Sequence, residues 1–231
     1  FKLIWCIIMI ISHKYKFIFI KTRKTAGTSI EYNLSKYLGK EDIITPTSEA
    51  NYLAQNFFLE TKISKFLKKL RLKNLSNFFR KELNDHMHAC ELRKIIDQKI
   101  FDDYFKFCVE REPVDKCISY YFMRKNSPNS SYKRKNMTWD EFVNKKRFPV
   151  DMNFYSFENN LIVDKIIKYE NLDKDLKSLL SNLGINNFKL IKKVNNKFRE
   201  KDPFVTNEQK KIIYQQFEPS LKFVKYNINQ I

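Results

Sequence analysis

The sequence predicts a single-domain α/β fold with a mostly parallel sheet flanked by helices. Three short runs rich in β-branched and aromatic residues carry the prediction: "KFIFI" at 16–20, "FKFCVE" at 105–110 and "NLIVDKIIKYE" at 160–170. Each precedes a stretch whose apolar residues recur at threes and fours, the spacing of a helix. Strands separated by helices close as a parallel sheet covered on its faces. The 231 residues are 43% hydrophobic, with only three glycines and six prolines, which suits one compact core and not a low-complexity chain.

Taken in order, the elements begin with "LIWCIIMII" at 3–11, nine apolar residues followed by "SHKYK". A spanning helix needs roughly 20 apolar residues. A secretory leader needs a small-residue cleavage site, which "SHKYK" lacks. No stable membrane insertion is therefore expected. Met9 is a candidate start, which makes 9–231 the domain and 1–8 an N-terminal extension. After the strand at 16–20, residues 28–38 place Ile30, Leu34, Tyr37 and Leu38 on one helical face, and Gly39 suits the helix end. Residues 49–84 are Lys-rich, with Leu and Phe at threes and fours. They predict a helical insertion that is either a solvated face or a binding surface. A helix is expected over 88–96.

The strand at 105–110 leads to Pro113, which suits a first helical turn, and the helix runs to about Arg124. Residues 125–136 read as a polar loop. "TWDE" at 138–141 and "TNEQ" at 206–209 are capping boxes that open two further helices. Residues 172–183 form a helix that closes at Gly184.

Lys and Arg number 44 against 26 Asp and Glu, a net charge of +18. Such a charge favours anionic partners: nucleotides, nucleic acid, acidic glycans or anionic lipid. Lysines spread over a solvated surface have the same composition. The four cysteines, Cys6, Cys90, Cys108 and Cys117, form no C-x-x-C pair, and there are three histidines. That composition disfavours a zinc site, and no metal is expected. Cys108 and Cys117 sit among apolar residues and should pack as small hydrophobes. A reducing compartment, the cytoplasm, is the simpler inference. The Golgi lumen is the alternative if residues 3–11 belong to a longer anchor.

The stretch 17–34, "FIFIKTRKTAGTSIEYNL", is a strand, a basic hydroxyl-rich turn and a helix. In an α/β fold such a turn lies at the carboxyl edge of the sheet, where helix-start N–H groups attract an anion. Lys24 supplies charge, Gly27 permits close backbone approach, and Thr25, Thr28 and Ser29 supply hydroxyls. The lysine precedes the glycine, whereas it follows the last glycine in a nucleoside triphosphate loop. A smaller anhydride such as a phosphosulfate therefore suits the turn better than ATP. A basic turn before a helix also serves as a plain solvated cap.

"KTRKTAGTSIE" resembles the 5′-phosphosulfate loop of sulfotransferases that use 3′-phosphoadenosine 5′-phosphosulfate (PAPS), especially the carbohydrate type related to heparan sulfate 2-O-sulfotransferase. The family pattern is P-K-T-G/A-G/S-T-S between a strand and a helix. The resemblance implies a P-loop-NTPase-like core and a donor site at Arg23, Lys24, Thr25, Ala26, Gly27, Thr28 and Ser29. Arg23 stands where proline is common.

"FCVEREPVDKCISYYF" at 107–122 repeats the strand-to-helix arrangement. Arg111 ends the strand, and Ser119 follows eight residues later on the helix. A guanidinium fork and a hydroxyl so placed can converge on one phosphate. Alternatively Arg111 pairs with Glu110 or Glu112, and Ser119 is an ordinary helix residue. The stretch resembles the family's R-N-P-W/Y-D-R-x-x-S-x-Y, in which the Arg and Ser hold the 3′-phosphate of the nucleotide.

Sulfuryl transfer requires the acceptor hydroxyl to lose a proton, and an imidazole accepts one near neutral pH. "NDHMHACEL" carries His86 and His88. They are either surface residues at a helix start or candidates for the base. The family's H-x-P/S-A/Y-x-E/D pattern aligns His86 with the base, with His88 as the alternative register. "NNKFREKDPF" at 195–204 lies where relatives place a nucleotide-contacting loop, making Lys197 and Arg199 candidate phosphate contacts.

The resemblance thus implies sulfuryl transfer from PAPS to a hydroxyl acceptor, a carbohydrate above all and an anionic one included, with Lys24 and His86 catalytic. No nucleic-acid partner is expected. Two rivals stand beside it: a nucleotide-dependent kinase of similar fold, which lacks its Gly-Lys-Ser/Thr loop here, and a non-enzymatic polyanion-binding module.

Overall fold

The computed structural model describes residues 9–45, 58–59, 81–82, 93–94, 96–127, 131–191 and 199–226. Its centre is a five-stranded sheet in the order β3-β1-β2-β6-β9. The strands are β1 (Met9–Ser12), β2 (Phe17–Ile20), β3 (Ile43–Ile44), β6 (Phe105–Glu110) and β9 (Lys165–Lys168). β2, β6 and β9 are mutually parallel, with Phe19 opposite Phe107 and Cys108 opposite Ile166. β1 runs antiparallel to both β2 and β3.

The expected mostly parallel sheet is therefore a mixed one: two parallel and two antiparallel pairings. The reason lies at residues 13–16. Ser12 pairs with Phe17 across this four-residue turn, and strands joined so closely can only run antiparallel. β1 itself comes from the end of the apolar run at 3–11. All four of its residues are buried, so it shows no polar alternation.

Side chains alternate between the two faces of the sheet. Phe17, Phe19, Phe107 and Val109 pack with Ile30 and Leu34 of helix α1 (Gly27–Leu34). Ile18, Ile20 and Cys108 pack on the opposite face, where they meet Phe101, Phe154 and Tyr155. Phe101 lies on α2 (Gln98–Asp103). α1 ends at Leu34, earlier than the expected residue 38, and a turn follows in which the Tyr37 N–H bonds to the Leu34 carbonyl.

β6 continues into α3 (Pro113–Asn126), which Glu112 caps by accepting from the Val114 and Asp115 N–H groups. The expected loop at 125–136 is shorter, because α3 extends to Asn126 and residues Tyr132–Lys135 form a helical turn, α4. α5 (Trp139–Asn144) opens with the expected Thr138–Glu141 capping box. A short helix α6 (Met152–Tyr155) precedes a hairpin of β7 (Ser156–Phe157) and β8 (Asn160–Leu161).

α7 (Leu172–Asn182) buries Leu172, Leu176, Leu179 and Leu180. Gly184 follows at φ +88°, the left-handed conformation that suits glycine at a helix end. α8 (Asn207–Leu221) opens with the expected Thr206–Gln209 box. Its Ile213 and Phe217 join Cys117, Tyr121, Trp139 and Phe142 in a second core beside the sheet.

Most of the expected helical insertion at 49–84, and of the helix at 88–96, lies outside the described residues. Within the insertion, β4 (Phe58–Leu59) pairs antiparallel with β5 (Lys81–Glu82). Among the described residues, no helix is long and apolar enough to cross a membrane.

Candidate active site

β2 and β6 are parallel neighbours, so the loops leaving their carboxyl ends lie side by side. Two contacts join them. The Thr22 hydroxyl donates to the Val109 carbonyl. Arg111 Nη1 donates to the Lys24 carbonyl at 3.0 Å. The two motifs that the sequence singled out, 86 residues apart between Thr25 and Arg111, thus form one edge.

The first loop is built tightly. Thr25 is buried, and its hydroxyl donates to the Thr22 carbonyl at 2.9 Å. Lys24 has φ 62° and Ala26 φ 60°. Left-handed backbone at two non-glycine residues carries strain that clusters at ligand-binding loops, and such turns point backbone N–H groups into an anion-binding concavity. Ala26 is the N-cap of α1 and makes no side-chain cap hydrogen bond. Lys24 and Thr28 are half-buried, whereas Ser29 is buried inside the first turn.

Gly27 is close-packed for a different reason from the expected one. A Cβ built there would lie 2.2 Å from Lys21 Cγ, because the lysine stem crosses over it. Lys21 Nζ then donates to Thr28 Oγ1 at 3.1 Å and to Glu31 Oε2 at 3.0 Å.

Arg23 is anchored behind the loop. Its backbone N–H donates to Asp151 Oδ2 at 2.6 Å, its Nε to Asp151 Oδ1 at 2.5 Å, and its Nη2 to the Val150 carbonyl at 2.8 Å. Asp151 also pairs with Lys116 at 2.9 Å, and Lys116 pairs in turn with Glu110. Tyr155 donates to Glu110 Oε2 at 3.0 Å. Burial pushes the Glu110 carboxyl above its usual range, although Lys116 opposes the shift. Burial acts to lower Lys116, but the charges of Asp151 and Glu110 outweigh it and hold the ammonium above the usual lysine range. Arg23, expected at the donor site, is thus the lid of a buried ion cluster, because a carboxylate as enclosed as Asp151 must be paired.

Arg111 directly follows the last residue of β6, Glu110, but its ion-pair partner is neither Glu110 nor Glu112. Its Nε donates to Asp115 Oδ2 at 2.6 Å, and its guanidinium lies 4.1 Å from the centre of the Tyr169 ring. Arg199 meets the same carboxylate, with Nη1 to Asp115 Oδ1 at 2.7 Å, and also binds Asp202. Burial raises the Asp115 carboxyl, but the hydrogen bonds and charges of Arg111 and Arg199 more than offset this and hold it below the usual range. Ser119 follows Asp115 by four residues on α3, hence on the same face of that helix. The structure therefore brings Lys24, Thr28, Arg111 and Arg199 to one edge, with Ser119 on the helix face that carries Asp115. His86, His88 and Lys197 lie outside the described residues.

Lys21, Glu31, Asp115, Lys116 and Asp151 were absent from the sequence-based site. Asp115 had a readable signal, since it stands four residues after Arg111 inside "REPVDK". Asp151 had none, being 128 residues from Arg23. Cys108 and Cys117 are free and buried, and burial pushes both thiols well above their usual range. Among the described residues, no group of three His, Cys, Asp or Glu side chains could hold a metal ion.

An uncharacterized protein of Archaeoglobus fulgidus is 33% identical over 104 residues, which cover 43% of this chain and 83% of that relative. No solved structure matches the chain at a significant level. Residues 8–225 match the Sulfotransferase family, a span that includes the loop at Lys24, the Arg111 strand end and the Arg199 segment. With nearly its whole length inside that match, the chain belongs to the sulfotransferase family.

Proposed function

We propose that this chain transfers a sulfuryl group from PAPS to a hydroxyl of a carbohydrate, on a P-loop-like core of the type related to heparan sulfate 2-O-sulfotransferase. The observation that carries the reading is the contact between Arg111 and the Lys24 carbonyl. It joins a loop suited to a 5′-phosphosulfate to a cationic patch suited to a 3′-phosphate. The donor set fits such a nucleotide: the Lys24 ammonium, the loop amides and the half-buried Thr28 hydroxyl at one end, and two guanidiniums at the other.

The donor supplies a sulfuryl group on a phosphate anhydride. Lys24 neutralises charge on the oxygens of that anhydride, and the amides and hydroxyls from Thr25 to Ser29 orient it. Arg111 and Ser119 hold the 3′-phosphate, with Arg199 and Lys197 adding positive charge. His86 takes the proton of the acceptor hydroxyl, with His88 as the other register. The net charge of +18 suits an anionic acceptor. The free, buried Cys108 and Cys117 accord with a cytoplasmic location.

A nucleotide panel read by thermal shift tests the donor. Stabilisation by adenosine 3′,5′-bisphosphate is expected. Stabilisation by ATP with magnesium alone would favour the kinase, and a response to polyanions alone would favour a binding module. Single-turnover transfer from labelled PAPS to a panel of glycans then identifies the acceptor. In that assay His86→Ala should lower the rate by ~100-fold or more, and His88→Ala should change it little. The opposite pattern moves the base by two residues.

A further inference from the structure

Outside the residues assigned so far, one cluster touches the anion loop directly. Lys21, on the last step out of β2, lays its stem across Gly27 and places Nζ between Thr28 and Glu31. The Lys21 side chain is 12% exposed, and that of Glu31 is fully buried. A buried carboxylate in the first turns of α1 requires a cation beside it. Lys21 meets that need, and its ammonium reaches the loop hydroxyl at the same time.

The polarity of this contact is set by chemistry. A protonated lysine has three donors and no acceptor. Thr28 Oγ1 therefore accepts from Lys21, and its one proton is directed away from the ammonium. A hydroxyl has one proton and two lone pairs, and only the proton is attracted to an incoming anion. With Lys21 in place a lone pair is occupied. Gly27 is part of the device, since any Cβ there would displace the lysine stem.

We propose that Lys21 is a positioning residue for the donor: clamped by Glu31 across Gly27, it holds the Thr28 hydroxyl as a proton donor to the 5′-phosphate side of the bound nucleotide. The inference rests on the phosphosulfate reading of the loop. It predicts an effect confined to one end of the nucleotide, which a purely structural Lys21–Glu31 tie between β2 and α1 does not.

The test compares adenosine 3′,5′-bisphosphate with adenosine 3′-phosphate by calorimetric titration. The proteins are the parent, the charge-free pair Lys21→Met/Glu31→Leu, Thr28→Val, and the triple variant. Removing both charges together avoids leaving one of them buried and alone. The charge-free pair should lose ~10-fold in affinity for the bisphosphate, the scale of a hydrogen bond to a charged group, and little for the 3′-phosphate. Thr28→Val should lose about as much, and the triple variant no more than Thr28→Val, because the two act through one contact.

Additive losses, equal losses for both nucleotides, or parental affinity in the charge-free pair overturn the inference while leaving the donor reading intact. A parent that binds neither nucleotide overturns the donor reading, and this inference with it. If the charge-free pair does not fold, the pair Lys21→Met/Glu31→Gln, which also removes both charges and keeps the shape of the helix face, carries the same cycle with Thr28→Val and the same criteria.

Discussion

Two charge clusters flank the candidate site, and they are built from the same parts. Behind the loop, Arg23 and Lys116 meet Glu110 and Asp151. In front, Arg111 and Arg199 meet Asp115 and Asp202. Their carboxylates differ in access to water. The side chains of Lys116 and Asp151 are 0% exposed, whereas those of Asp115 and Asp202 are 35% and 50% exposed.

Opening the buried cluster would strand charges in a medium that solvates them poorly, so it has one arrangement. The partly exposed cluster can exchange a carboxylate for another anion at small cost, because water solvates whichever group is released. The same ion-pair chemistry therefore makes a fixed scaffold at the rear and a more readily exchanged set of pairs at the front.

The largest expected effect breaks the rear cluster. Lys116→Met leaves Glu110 and Asp151 buried without their ammonium, and should lower unfolding free energy by ~3–5 kcal/mol. Urea denaturation measures it. A loss below ~1 kcal/mol, the range of exposed pairs, would mean that the two clusters do not differ as argued.

The next effect falls on binding at the front. Arg111→Ala should weaken adenosine 3′,5′-bisphosphate by roughly 2–3 kcal/mol, the upper range for hydrogen bonds to charged groups. Adenosine 5′-phosphate should be affected far less. Equal weakening of both in calorimetry would remove Arg111 from the 3′-phosphate.

A pH series sharpens the contrast. The Asp115 carboxyl is held below its usual range, so the unfolded chain takes up its proton first as pH falls. Its contribution is present above the unfolded carboxylate pKa and is lost as pH drops through the lower, folded value. Lys116 behaves oppositely, since its folded pKa is raised. Its contribution is complete below the ordinary lysine pKa and is lost as pH rises through the raised one. Unfolding free energy in the parent should therefore fall at both limbs, and Asp115→Asn should flatten the acid limb alone. An unchanged acid limb in that variant would show that Asp115 gains nothing from its two arginines.

The smallest effect is Arg199→Ala. Asp115 keeps Arg111, and the pair at Arg199 is partly exposed. Stability should change by ~1 kcal/mol or less, as read from the thermal midpoint.

Local signals carried most of the fold. The two strand-loop-helix units, both capping boxes and the Gly184 helix end depend on residues within a few positions of one another, and each stands where its pattern placed it. β1 was missed because both of its faces are buried, and a continuous apolar run is also what an anchor looks like. Its turn at 13–16 contains no Gly, Asn or Pro, the residues that usually announce a hairpin. In the site, the loop from Lys24 to Ser29 and Arg111 were legible from spacing. The partners of Arg23 and Arg111 were not equally so: Asp115 is four residues from Arg111 and could have been read, whereas Asp151 belongs to a distant segment.

By itself, then, the sequence determined the strand-loop-helix units, the basic hydroxyl loop and the arginine at a strand end, because backbone propensity and capping act over a few residues. Only the tertiary structure decided that β1 reverses the sheet, that Arg23 faces Asp151 across 128 residues, and that Lys21 crosses Gly27 to reach Thr28. The last two outcomes depend on which charges end up enclosed together. Enclosure is a property of the packed core, and a buried carboxylate recruits whichever cation the fold brings within reach.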